Sequence, residues 1–187
     1  MPEPSVRRAA ERIERVRGDD GSSKALRRAL LEEISRNVSF DAYAWLLTDP
    51  ETEVGCDPVA DVPCMPQLPK LIRLKYATET NRWTSMSQPV ARLLDATSGD
   101  PTRSLVWREL LAAYDVVDVA SLVFRDRFGC WAFLDLWRVR PAQPFTERDA
   151  EYLNAIASPV TEALRRVQAE TFHIAEAPRV PGGRSDG

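Results

Sequence analysis

Two strand-like runs, VVDVASLVF (Val116–Phe124) and CWAFLDLW (Cys130–Trp137), are separated only by RDRFG, and this leaves little choice about the centre of the fold. Both runs are rich in β-branched and aromatic residues, and a short connection containing glycine joins neighbouring antiparallel strands. Placing Gly129 at the left-handed position of a three-residue loop with a bulge predicts that Ala120 lies opposite Leu136, Leu122 opposite Leu134 and Phe124 opposite Ala132. Side chains alternate along a strand, so one face of this hairpin is small and aliphatic. The other carries Val119, Ser121 and Val123 beside Trp131, Phe133, Asp135 and Trp137. Tyr43 and Trp45 are expected on a similar aromatic face of the first strand.

Helical and extended segments surround this hairpin in a definite order. Val6, Ala10, Ile13 and Val16 recur at three and four, which gives a charged helix one apolar stripe. After a break at Asp19-Asp20-Gly21, a serine caps a second helix with Leu26, Leu30, Ile34 and Val38 on one side. Phe40–Leu47 and a weaker strand near Glu53–Cys56 read as a hairpin turning at Asp49-Pro50. Leu68, Leu71, Ile72 and Tyr76 predict a short helix in a long connection. Asp100-Pro101 opens another helix, which ends near Tyr114. Thr146 and Asp149 approximate a capping box before a helix in which Leu153, Ile156, Val160, Leu164 and Val167 stay in phase across Pro159. The implied class is α/β of the α+β kind, a layer of helices on an antiparallel sheet.

The 187 residues suit one domain: an amphipathic helix in 1–21, a globular body in 22–172 and a flexible tail in 173–187. No uncharged stretch approaches the roughly 20 residues that span a bilayer, and no apolar centre of a signal peptide opens the chain. The expected location is cytoplasmic, with no membrane partner. A net charge of −3 lacks the basic footprint of a nucleic-acid-binding domain, so no direct nucleic-acid contact is expected.

Four segments, FDAYAWLLTDPET, LPKLIRLKYATETNRW, TRSLVWRELLAAYDVVDVASLVFRDRFGCWAFLDLWR and PFTERDAEYLNAIASPVTEALRR, together resemble the GAF-like N-terminal sensory domain of actinobacterial LuxR-type helix-turn-helix regulators. The likeness runs from about Leu26 to Phe172, and VASLVFRDRFGCWAFLDLW is its most specific part. It implies an antiparallel sheet of six strands or so, with the terminal helices on one face and a ligand cavity under helices and loops on the other. It also implies a sensor of small molecules that here lacks the DNA-binding half. No particular ligand comes with it.

The candidate ligand-binding residues are Tyr43, Trp45, Trp83, Trp107, Ser121, Trp131, Phe133 and Asp135, an aromatic wall with few polar groups. The same residues also suit an ordinary aromatic core. Asp135, inside an apolar strand, needs a partner, and Arg82, Arg103 or a backbone amide would serve. No catalytic residue, metal site or cofactor is expected. Cys56, Cys64 and Cys130 include no CxxC pair, and His173 stands alone near the end. The sequence also lacks the cysteine-histidine pair of bilin-binding relatives, the NKFDE-type signature of cyclic-nucleotide-binding ones and a phosphate loop. Three functions follow: a sensory domain, a ligand-free structural dimerisation module of the same fold, and a thiol-redox enzyme. A pocket of roughly 300 Å³ or more favours the first and a filled core the second. A homodimer through the first and last helices is expected, because Ile13 and Val160, Leu164 and Val167 offer stripes that a small sheet does not need.

Overall fold

A computed structural model of the chain describes residues 4–16, 18 and 21–176. Asp19-Asp20 and the tail from 177 lie outside these residues. The elements are α1 (Pro4–Arg15), α2 (Ser23–Ser35), β1 (Ala42–Thr48), β2 (Gly55–Asp61), α3 (Leu68–Ala77), β3 (Val90–Arg92), α4 (Leu93–Ala96), α5 (Leu105–Glu109), β4 (Val116–Asp126), β5 (Gly129–Val139) and α6 (Glu147–Glu176). Ser22 caps α2 as its position predicts, its hydroxyl accepting from Ala25 N at 3.1 Å. α6 runs through Pro159 and reaches Glu176, past the expected start of the tail.

The sheet has five antiparallel strands in the order β2-β1-β5-β4-β3. Five strands accord with the expectation of six or so, and the short β3 and α4 had no periodic signal long enough to reveal them. The expected single helix from Asp100 to Tyr114 is instead α5 between two 3₁₀ turns.

In the central hairpin the three expected pairs, Ala120 with Leu136, Leu122 with Leu134 and Phe124 with Ala132, all form. The turn is tighter than expected. Asp126 pairs with Gly129 across Arg127-Phe128, and the extra residue is Trp131, where the ladder steps from Arg125–Cys130 to Phe124–Ala132. Gly129 has φ +140, and a Cβ there would meet the Pro50 carbonyl oxygen at 2.4 Å, so this corner closes only with glycine. As the bulged residue, Trp131 leaves the alternation and packs with Ala132 and Leu134 on the helix side.

The first strand corrects a second expectation. Tyr43 pairs with Leu136 and Trp45 with Leu134, so both share the aliphatic face rather than the aromatic one. Trp45 stacks on Phe124 with ring centroids 5.5 Å apart, beneath Leu26, Leu30 and Ile34 of α2 and Ile156, Val160 and Leu164 of α6. The terminal helices therefore cover one face of the sheet, and α3, α5 and the turn at Trp83 cover the other.

α1 lies against α6 of its own chain, and Ile13, Val160 and Leu164 are fully buried there. Ile13, Val160 and Leu164 of the stripes that motivated a dimer are thus covered within one protomer, while Val16 and Val167 are only partly buried. Replacing Ile13 with Ala should cost about 2–5 kcal/mol in urea unfolding at a dilution where any dimer has dissociated. An unchanged midpoint would contradict this docking of α1.

Tyr152, on α6, accepts a hydrogen bond from Asn37 Nδ2 (3.2 Å). Burial, with added repulsion from Glu33, pushes its phenol from 10.0 up to about 12. A pKa raised on folding means that the native state holds this proton where the unfolded chain has lost it. The contribution is therefore fully present below pH 10 and is lost as pH rises through about 12. Tyr152→Phe should flatten the alkaline limb of the stability profile between those values, and an unaltered limb would show that another group titrates.

Candidate functional site

The face of β4 and β5 turned away from the terminal helices brings Ser121 directly opposite Asp135. Both are buried among Val119, Val123, Phe133 and Trp137, where an isolated carboxylate would cost several kcal/mol. α3 supplies the partner. Lys75 follows Leu71 by one turn, so both point from the same side of the helix into the sheet, and both are buried. Lys75 Nζ lies 3.2 Å from Asp135 Oδ2 and donates to Ser121 Oγ at 2.9 Å and to the Asn81 carbonyl at 3.0 Å. Three donors meet three acceptors, which satisfies an ammonium. Burial lowers the Lys75 pKa, and Asp135 opposes that shift.

The remaining carboxylate oxygen, Asp135 Oδ1, accepts from Trp83 Nε1 at 2.9 Å. Trp83 stacks on Phe133 (5.1 Å between centroids, 8° between planes), and the ammonium of Lys75 sits 5.0 Å from the Trp83 ring. Tyr76 closes the group edge-on to both rings, its hydroxyl accepting from Gly55 N and donating to the Glu53 carbonyl, each at 2.8 Å.

Beside this cluster is a cavity of about 20 Å³, bounded by Lys75, Asn81, Ser121 and Asp135 and by Leu93, Val106, Leu111 and Val119. Its volume is that of about one water molecule, far below the few hundred Å³ of ordinary ligand pockets. Asn81 also borders an outer cleft of about 260 Å³, with Arg82, Met86, Gln88 and Val90.

Of the eight expected site residues, four meet here: Trp83, Ser121, Phe133 and Asp135. Tyr43 and Trp45 lie across the sheet. Trp131 donates from Nε1 to Asp126 (3.0 Å) and borders a surface groove along α6. Trp107 bonds through Nε1 to the Val116 carbonyl (3.1 Å), and its neighbour Val106 reaches the cavity instead. The partners proposed for Asp135 are engaged elsewhere, Arg82 on the Thr78 carbonyl and Arg103 on that of Thr97.

No protein-family model matches the chain, and no curated sequence does either. Solved structures do. The GAF domain of a two-component sensor histidine kinase from Bacillus halodurans superposes with a TM-score of 0.53 at 12% identity, over 80% of this chain and 98% of that one. An N-acylhomoserine-lactone-dependent LuxR-family transcription factor from Burkholderia cenocepacia gives 0.54 at 16%, over 89% and 95%. The chromophore-binding domain of a bacteriophytochrome from R. palustris gives 0.55 at 13%, over 89% of this chain but only 61% of that longer one. The fold is a GAF fold.

In this GAF fold the two polar residues that sequence reasoning missed are Lys75 and Asn81. Lys75 stands one turn after Leu71 on an apolar stripe, which was the available signal. Asn81 holds φ +49, a left-handed conformation that asparagine tolerates better than most residues. The free thiols Cys56, Cys64 and Cys130 all have pKa values raised, chiefly by burial, which disfavours the reactive thiolate. Among the described residues, no cluster of three or more His, Cys, Asp or Glu is placed to hold a metal, and no helix is long and apolar enough to cross a membrane.

Lys75→Met strands a buried carboxylate and should cost about 3–5 kcal/mol in denaturant unfolding. Adding Asp135→Asn removes the stranded charge while keeping an acceptor for Trp83, so the double variant should regain most of that loss. Losses that simply add would show that the two charges are not coupled.

Proposed function

We propose that this chain is a non-catalytic sensory domain of a LuxR-type transcriptional regulator, working in the cytoplasm and binding a small molecule on the face of its sheet opposite the terminal helices. The observation that carries this reading is the polar cluster of Lys75, Asp135, Ser121 and Trp83 beside a cavity in an otherwise apolar layer. Apolar residues of similar volume in place of a buried ion pair often make a protein more stable, so packing alone gives little reason to keep one. The likeness to a sensor-kinase GAF domain and to a LuxR-family regulator supports the same reading.

The sheet is the natural transmitter. Ser121 and Asp135 face the cavity, while their neighbours Leu122, Leu134 and Leu136 face α6. A shift of one wall is felt by the other, because packed cores deform little. This proposal needs no dimer contact at Ile13 or Leu164, which are buried within the protomer; a homodimer through the terminal helices would use their outward faces.

The cavity volume favours a second reading, a ligand-free structural module. About 20 Å³ is the size expected of a filled core. Native mass spectrometry of the protein purified from its own cytoplasm separates the two. The sensory reading expects a co-purifying small molecule that is lost on denaturation. Protein of bare chain mass, with no small molecule in solvent extracts, would establish the structural module instead.

A further inference from the structure

The donors and acceptors around the cavity restrict what the site accepts. Among the described residues three buried side-chain donors lack a partner, Trp45 Nε1, Trp137 Nε1 and Asn81 Nδ2, and of these only Asn81 borders the cavity. Two more donors are available there. Ser121 Oγ accepts from Lys75 and Ser104 Oγ from the Trp107 amide (3.4 Å), which leaves each hydroxyl proton free to be given. Of the acceptors, Asp135 is engaged on both oxygens and the Asn81 carbonyl by Lys75. The unmet demand of the buried Asn81 Nδ2 is for an acceptor.

Charge narrows the choice. Lys75 and Asp135 balance each other, so a carboxylate, phosphate or ammonium entering beside them would be a buried charge with no counter-ion. The other walls, Leu93, Val106, Leu111 and Val119, suit hydrocarbon. Resting on the sensory reading above, we infer that the site takes an electrically neutral carbonyl compound, a ketone, aldehyde or ester, whose oxygen lies between Asn81 Nδ2 and Ser121 Oγ.

The route is through Asn81. This residue borders both the cavity and the outer cleft, and its backbone is held inward by the Lys75 bond to its carbonyl. At about 20 Å³ the inner space takes the acceptor group alone, and the rest of the molecule follows when Asn81 swings toward the cleft. Asn81 is thus both gate and first contact.

Three probes of one ring size test this on the full chain: cyclohexanone, cyclohexanecarboxylate and cyclohexylammonium. Each is titrated while the Trp83 indole N–H and the Asn81 side-chain amide are followed by NMR. Cyclohexanone should shift both signals saturably, with the two charged rings at least about ten-fold weaker. Asn81→Gly, which keeps the backbone conformation, and Ser121→Ala should each weaken cyclohexanone about three- to ten-fold, the loss of one neutral hydrogen bond. A charged ring that shifts the two signals as strongly overturns the neutral-carbonyl inference and leaves sensing intact. If no ring shifts them, this inference also falls, while the co-purification experiment still judges sensing. The wild-type titrations decide the matter even if a variant fails to fold.

Discussion

The rest of the structure is arranged around a lysine and an aspartate that share one buried place. Lys75 comes from α3 and Asp135 from β5, and neither tolerates that environment without the other. Their contact ties α3 to β5. It holds the Asn81 carbonyl inward, and through Trp83 it sets the turn that follows. One ion pair therefore joins a helix, a connecting segment and two strands, and it makes the aromatic layer polar at a single point.

That point exists only because β4 and β5 are in register. Ser121 faces Asp135 because the hairpin turns at Arg127-Phe128 and then absorbs one extra residue. Gly129 lets the strand pass the Pro50 carbonyl, where any Cβ would clash. A slip of one residue would put both polar side chains among the leucines under α6, where they have no partner. Local backbone geometry at the turn thus protects the chemistry several residues away.

The central register was legible because two long, strongly patterned strands are joined by five residues, and a bulge of one residue gives the same pairing wherever it falls near the turn. Its position was not legible, and it decides the side on which Trp131 lies. Tyr43 and Trp45 were misplaced for a related reason: β1 meets β5 from far away in sequence, so its parity depends on tertiary pairing that no local pattern encodes. The need of Asp135 for a partner could be read from the apolar run around it. The partner could not, since Lys75 lies 60 residues away (135 − 75) and an arginine would have satisfied the same electrostatics. The N-terminal stripe was also real, but sequence cannot tell whether a stripe is covered by its own chain or by a copy.

The chain contains three lysines, Lys24, Lys70 and Lys75, so 15N NMR of the side-chain ammonium groups gives a spectrum simple enough to interrogate the buried pair itself. With Nζ bonded to Asn81, Ser121 and Asp135, one ammonium signal should exchange slowly with water at neutral pH, and Asp135→Asn should abolish that protection. Three ammonium groups exchanging at the rate of free lysine would contradict the account at its centre.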